Sequence, residues 1–113
     1  MDKFGKRRDT NKKRYIMSWT RKPQEQPGKY FFSGQFYVTK GVSESLTLEE
    51  ITWICLDLKA FVKEQNGIDY LQVYECIDGR KVWFIDQLDE AMIASGEFEP
   101  GDNHCTLLLP EEY

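Results

Sequence analysis

The stretch Thr47-Leu48-Glu49-Glu50-Ile51 constrains the fold more than any other part of the chain. Thr47 is placed to cap a helix N-terminus. Glu50, three residues on, occupies the reciprocal capping-box position. Behind it Ile51, Ile54, Cys55, Leu58, Phe61 and Val62 recur at helical spacing and form one apolar stripe. Trp53 lies off that stripe, so it either widens the buried face or stands exposed. Asn66-Gly67 closes the helix, because both residues accept a left-handed backbone at low cost. In a chain of 113 residues, one such helix presents an apolar face that the other elements must cover.

Those other elements read as short strands. Residues 30–32 and 35–39 are aromatic and β-branched and are split by Ser33-Gly34, which predicts two short strands or one broken hairpin. Asp78-Gly79, between alternating segments, predicts a two-residue hairpin loop with positive φ at both central positions. That register sets Cys76 opposite Lys81 and Tyr74 opposite Trp83. It puts Leu71, Val73, Val82 and Phe84 on the face under the helix, and Tyr70, Gln72, Tyr74, Trp83 and Ile85 on the other. Residues 88–96 read as a short helix ending at Gly96, 99–103 as a turn, and 105–110 as a buried strand. The fold class is therefore α+β: a mostly antiparallel sheet of four or five short strands, with one long helix packed on one face and a short second helix. Residues 1–29, with the breakers Pro23, Pro27 and Gly28, read as a flexible basic tail, and 30–113 as a single domain.

Charge divides along the same boundary. Residues 1–30 carry ten Lys or Arg against three acids, a net of +7, while residues 31–113 carry five against sixteen, a net of −11. Seven of those cations are Lys3, Lys6, Arg7, Arg8, Lys12, Lys13 and Arg14. No Lys or Arg follows Lys81, whereas Asp86, Asp89, Glu90, Glu97, Glu99 and Asp102 do. Such bipolarity points to two different electrostatic partners, or to a tail folded over its own domain. Met17 is an alternative start that would remove the first basic cluster.

Other classes lose ground on composition. No apolar run reaches the about 18 residues of a membrane span, and no apolar stretch follows the basic start as in a secretory leader. Cys55, Cys76 and Cys105 stand apart without a C-x-x-C pair, which suits reduced thiols rather than disulfides or zinc. A cytoplasmic protein without membrane contact is expected. His104 is the sole histidine, and strand alternation sends it and Cys105 to opposite faces, against a thiol–imidazole pair. No Gly-rich phosphate loop, G-x-S-x-G elbow or H-E-x-x-H helix is present. No catalytic residue, cofactor or metal is expected.

Tyr37-Val38-Thr39-Lys40-Gly41-Val42, Leu46, Trp53, Asp69-Tyr70-Leu71-Gln72-Val73-Tyr74 and the final His104-Cys105-Thr106-Leu107-Leu108-Leu109-Pro110-Glu111-Glu112-Tyr113 resemble the small Firmicute family called domain of unknown function 960. The resemblance covers residues 36–113 and departs between Val82 and Asn103. It implies an α+β domain in a bacterial or phage cytoplasm, and it transfers no catalytic residue.

Three functions follow as expectations. The first is a non-enzymatic interaction protein, encoded by a phage or mobile element, that inhibits a nucleic-acid-handling host protein in the manner of an anti-CRISPR or anti-restriction factor. Its acidic face, Asp86, Asp89, Glu90, Glu97, Glu99 and Asp102, would enter the partner's basic groove, and the tail would reach bound RNA or DNA. The second is an RNA- or single-strand-binding module, with the tail for charge and Tyr70, Tyr74 and Trp83 for stacking. The third is a housekeeping enzyme with a divalent ion at Asp86 and Glu90. The oligomeric state is left open.

Overall fold

The computed structural model describes residues 18–113. Among them five strands form one sheet: β1 (Trp19–Arg21), β2 (Gln35–Val38), β3 (Leu71–Cys76), β4 (Lys81–Asp86) and β5 (His104–Leu108). Their order across the sheet is β1-β3-β4-β5-β2. All neighbours are antiparallel except β2 and β5, which run parallel. Three helices accompany them: α1 (Lys40–Ser45), α2 (Leu48–Gln65) and α3 (Glu90–Ser95). The α+β expectation holds, with the single parallel pair as the refinement.

The long helix forms for the local reasons its sequence carries. Thr47 Oγ1 accepts the Glu50 N–H at 3.1 Å, and Glu50 Oε1 accepts the Thr47 N–H at 2.8 Å, so the capping box is complete. Asn66 ends the helix in the left-handed region at φ 54°. Ile54, Leu58 and Val62 are buried against Trp19, Phe32, Tyr74, Val82, Phe84 and Leu107 of the sheet side. Burying each such side chain stabilises the fold by about 1.5–3 kcal/mol. Trp53 widens this face and meets the Tyr74 ring edge-on at 6.4 Å. The preceding short helix α1, capped by Thr39, has no counterpart in the sequence reading.

Three expectations need correction. The first concerns the tail, because the fold begins well before Tyr30. Trp19–Arg21 pairs with β3 as an edge strand, and Trp19 is buried. Residues 22–30 then follow the domain. The Lys22 N–H donates to the Val73 carbonyl at 2.8 Å, and Gln24 Oε1 accepts from both the Asp69 N–H and Gln72 Nε2. Local sequence gave no sign of this, because the partners of these residues lie 45 or more positions away.

The second concerns the hairpin, whose loop has three residues rather than two. The Gly79 N–H donates to the Cys76 carbonyl at 2.9 Å, and the Cys76 N–H to the Arg80 carbonyl at 2.8 Å. Only Gly79 among the loop residues has positive φ, +99°. This is a type I turn closed by a glycine bulge. The pairing moves by one: Tyr74 faces Val82, and Trp83 faces Val73. One residue of slip exchanges faces. Gln72, Tyr74 and Cys76 therefore point under α2 and are buried, while Leu71 and Val73 lie on the outer face.

Residues 30–32 also differ from expectation. Tyr30 makes a single bridge to Ile68, and Phe32 is buried with φ at +51°. Gly34 lets β2 enter beside β5, since a Cβ there would run into the Asn103 carbonyl.

Candidate partner-binding surface

The connection from β4 to β5, residues 87–103, carries most of the predicted acidic residues. It is tied down at both ends. Leu88 is buried, and the Gln87 N–H reaches the His104 carbonyl at 3.2 Å. Asp89 caps α3 by accepting the Met92 N–H at 2.8 Å. At the far end the Asn103 carbonyl accepts the Gln35 N–H at 3.0 Å. Between these anchors every residue from 93 to 102 is exposed. Gly96 turns the chain at φ 73°, and Asp102 Oδ2 holds the Glu99 N–H at 3.0 Å. Glu90, Glu97, Glu99 and Asp102 therefore stand at the surface with half-exposed Ile93 and Phe98 among them.

Asp86 does not belong to this surface. It is buried, with Oδ2 accepting the Phe32 N–H at 2.8 Å and Oδ1 the Gln87 N–H at 2.9 Å. Burial pushes its carboxyl above the usual range, although main-chain donors and His104 pull the other way. Its alternation on β4 with Val82 and Phe84 aims it inward. Among the described residues, no group of three or more His, Cys, Asp or Glu side chains is placed to hold a metal ion.

The expected aromatic trio is dispersed. Tyr74 is fully buried, and its hydroxyl donates to Asp57 Oδ2 at 2.7 Å. Burial and that carboxylate raise its pKa. Tyr70 packs on Tyr30 at 6.0 Å. Trp83 lies on the outer face against Tyr113, 5.5 Å between rings, and Tyr37 pairs separately with His104 at 5.5 Å. The tail residues Lys3, Lys6, Arg7, Arg8, Lys12, Lys13 and Arg14, and Met17, lie outside the described residues.

Sequence reasoning missed the residue that organises the opposite end of the sheet. Glu50, read only as a cap, is buried and also accepts Trp19 Nε1 at 2.7 Å and both Arg80 terminal nitrogens, at 3.1 and 2.8 Å. Burial alone would raise its pKa; the hydrogen bonds from Arg80, Thr47 and Trp19 and the Arg80 charge outweigh it and hold the carboxyl below the usual range. The thiols serve packing. Cys76 and Cys105 are buried and Cys55 half-buried, and burial raises Cys105 to about 11, with Asp86 adding to the effect.

The motifs behind the family resemblance meet in space. Thr39 Oγ1 donates to Glu112 Oε1 at 2.6 Å, and the Gly41 N–H donates to Glu112 Oε2 at 3.1 Å. Those residues thus lock the chain end onto the β2–α1 corner. Comparison with protein-family models, curated proteins and solved structures returned no match. Membership of the family remains a proposal resting on the motifs themselves. No described helix is long and apolar enough to cross a membrane.

Proposed function

We propose that this chain is a non-enzymatic interaction protein that occupies the basic groove of a nucleic-acid-handling protein and blocks it, an inhibitor of the anti-CRISPR or anti-restriction type. The observation that carries the reading is the exposed stretch 93–102, with Glu97, Glu99 and Asp102 beside Ile93 and Phe98 and no cation after Lys81. Carboxylates on an anchored connection take the place of phosphates, and the two apolar side chains supply contact area that phosphates lack. The chain enters the described fold at Ser18, whose carbonyl accepts the Ile77 N–H at the hairpin end. That is the opposite end of β4, roughly 17 Å from Asp86 at about 3.3 Å per residue. The basic segment 1–17 and the acidic connection are thus attached to opposite ends of the sheet, which suits contact with two sites on one nucleoprotein. The main buried carboxylates, Glu50 and Asp86, are committed to hydrogen bonds that hold the fold, which supports a non-catalytic role.

The test is affinity capture of partners with and without nuclease, followed by titration of the captured protein against a competing oligonucleotide. The chain and the oligonucleotide should exclude each other, and the variant E90Q/E97Q/E99Q/D102N should bind at least about tenfold more weakly, with a shallower salt dependence. Unchanged binding by that variant would sink the mimicry. A second reading, single-strand binding, draws on the outer-face aromatics Tyr37, Trp83 and Tyr113. Direct oligonucleotide binding by the purified chain, lost in W83A/Y113A, would replace the first reading.

A further inference from the structure

Helix α2 buries one face completely and leaves the other with an order of its own. Glu50, Ile54, Leu58 and Val62 are buried, whereas Leu48 and Leu56 are 76% and 62% exposed. Leu48, Glu49, Thr52, Trp53 and Leu56 line a shallow groove of about 390 Å³. At 100° per residue, Glu49, Leu56 and Lys63 fall within about 20° of a single line down the helix, and Thr52, Trp53, Lys59 and Ala60 fall within about 60° of it. The line runs acid, leucine, base at seven-residue spacing, flanked by two small residues.

We infer that this face is an isologous contact in which α2 packs antiparallel on α2 of a second copy, with the two-fold axis at Leu56. Symmetry then fixes every pairing. Leu56 meets Leu56 and Glu49 meets Lys63 along the line, and the small side chains of Thr52 and Ala60 on its two flanks let the helices approach. Trp53 packs over Ala60 on one flank, and Thr52 meets Lys59 on the other. A parallel copy would set Glu49 on Glu49 and Lys63 on Lys63, so the charge order selects the antiparallel one. An unrelated partner has no reason to match a line that is complementary to its own reverse. The contact does not depend on the acidic connection or on its partner. A single helix pair is smaller than the about 1,200–2,000 Å² of stable interfaces, so the dimer dissociates at micromolar concentration.

Sedimentation velocity of the full chain over a concentration series tests this. A monomer–dimer equilibrium is expected, weakened at least about tenfold in Leu56→Asp and several-fold in Glu49→Lys and in Lys63→Glu. The double variant E49K/K63E should return to within about twofold of the parent, because the swapped charges pair again across the axis. Circular dichroism melts verify that each variant is folded. A monomer at every concentration, a dimer indifferent to Leu56→Asp, or a double variant no better than the singles would each overturn the inference.

Discussion

Glu50 and Asp86 are both sealed from solvent, one at each end of the sheet, and they are held in opposite ways. Glu50 sits among Arg80, the Trp19 indole and the Thr47 N–H, so its charge is matched by a charge. Asp86 is held by main-chain donors, Phe32 and Gln87 foremost, with no cation in hydrogen-bond contact. The pKa directions follow, lowered for the first and raised for the second. Burial penalises an ionised carboxylate in both places, and only a counter-charge with several donors reverses the sign. The exposed carboxylates of 93–102 form the contrasting case, free of that penalty and open to a partner.

The largest expected effect is at the Glu50 end. Arg80→Ala leaves a buried carboxylate without its cation and should cost about 3–5 kcal/mol in urea unfolding. A loss near that of an exposed ion pair would break the contrast. Next comes Asp86→Asn. An amide has one acceptor oxygen for the two N–H groups of Phe32 and Gln87, so a loss of about 1–3 kcal/mol is expected.

The pH dependence separates the same two residues. Glu50 binds fewer protons folded than unfolded near its ordinary value of 4.5. Its contribution is present above that value and lost as pH falls through the folded one. Asp86 binds more protons folded than unfolded above its ordinary 3.8. Its contribution is present below 3.8 and lost as pH rises through the folded value. Unfolding midpoints across an acid-to-neutral series should therefore show Asp86→Asn flattening the decline on the rising side. Arg80→Ala should soften the acid limb. The smallest effect belongs to the surface. Each substitution in E90Q/E97Q/E99Q should move stability by no more than about 0.5 kcal/mol, while partner binding falls. A large stability loss there would show that the connection is structural.

What could be read in the sequence depended on how far each interaction reaches. The α2 cap, the Asn66 terminus and the α3 helix ending at Gly96 rest on groups three to six residues apart, and residue types alone were enough to place them. The acidic stretch was legible because charge needs no partner to be counted. Asp86 was counted with it wrongly, because a carboxylate turned inward has the same letter as one turned outward. The hairpin shows the limit of local reading. Asp78-Gly79 suits either a two-residue or a three-residue loop, and the difference decides whether Tyr74 is a binding surface or core.

By itself, then, the sequence determined the α+β class, the extent of the long helix and the separation of charge along the chain, since these follow from local capping, periodicity and composition. Tertiary structure alone decided that Trp19–Arg21 completes the sheet, that β2 joins β5 in parallel, that Tyr74 and Trp83 part to opposite faces, and that Glu50 binds Trp19 across 31 positions. Each depends on which distant group best fills a buried site, and a strand of three or four residues carries too little local preference to specify that partner.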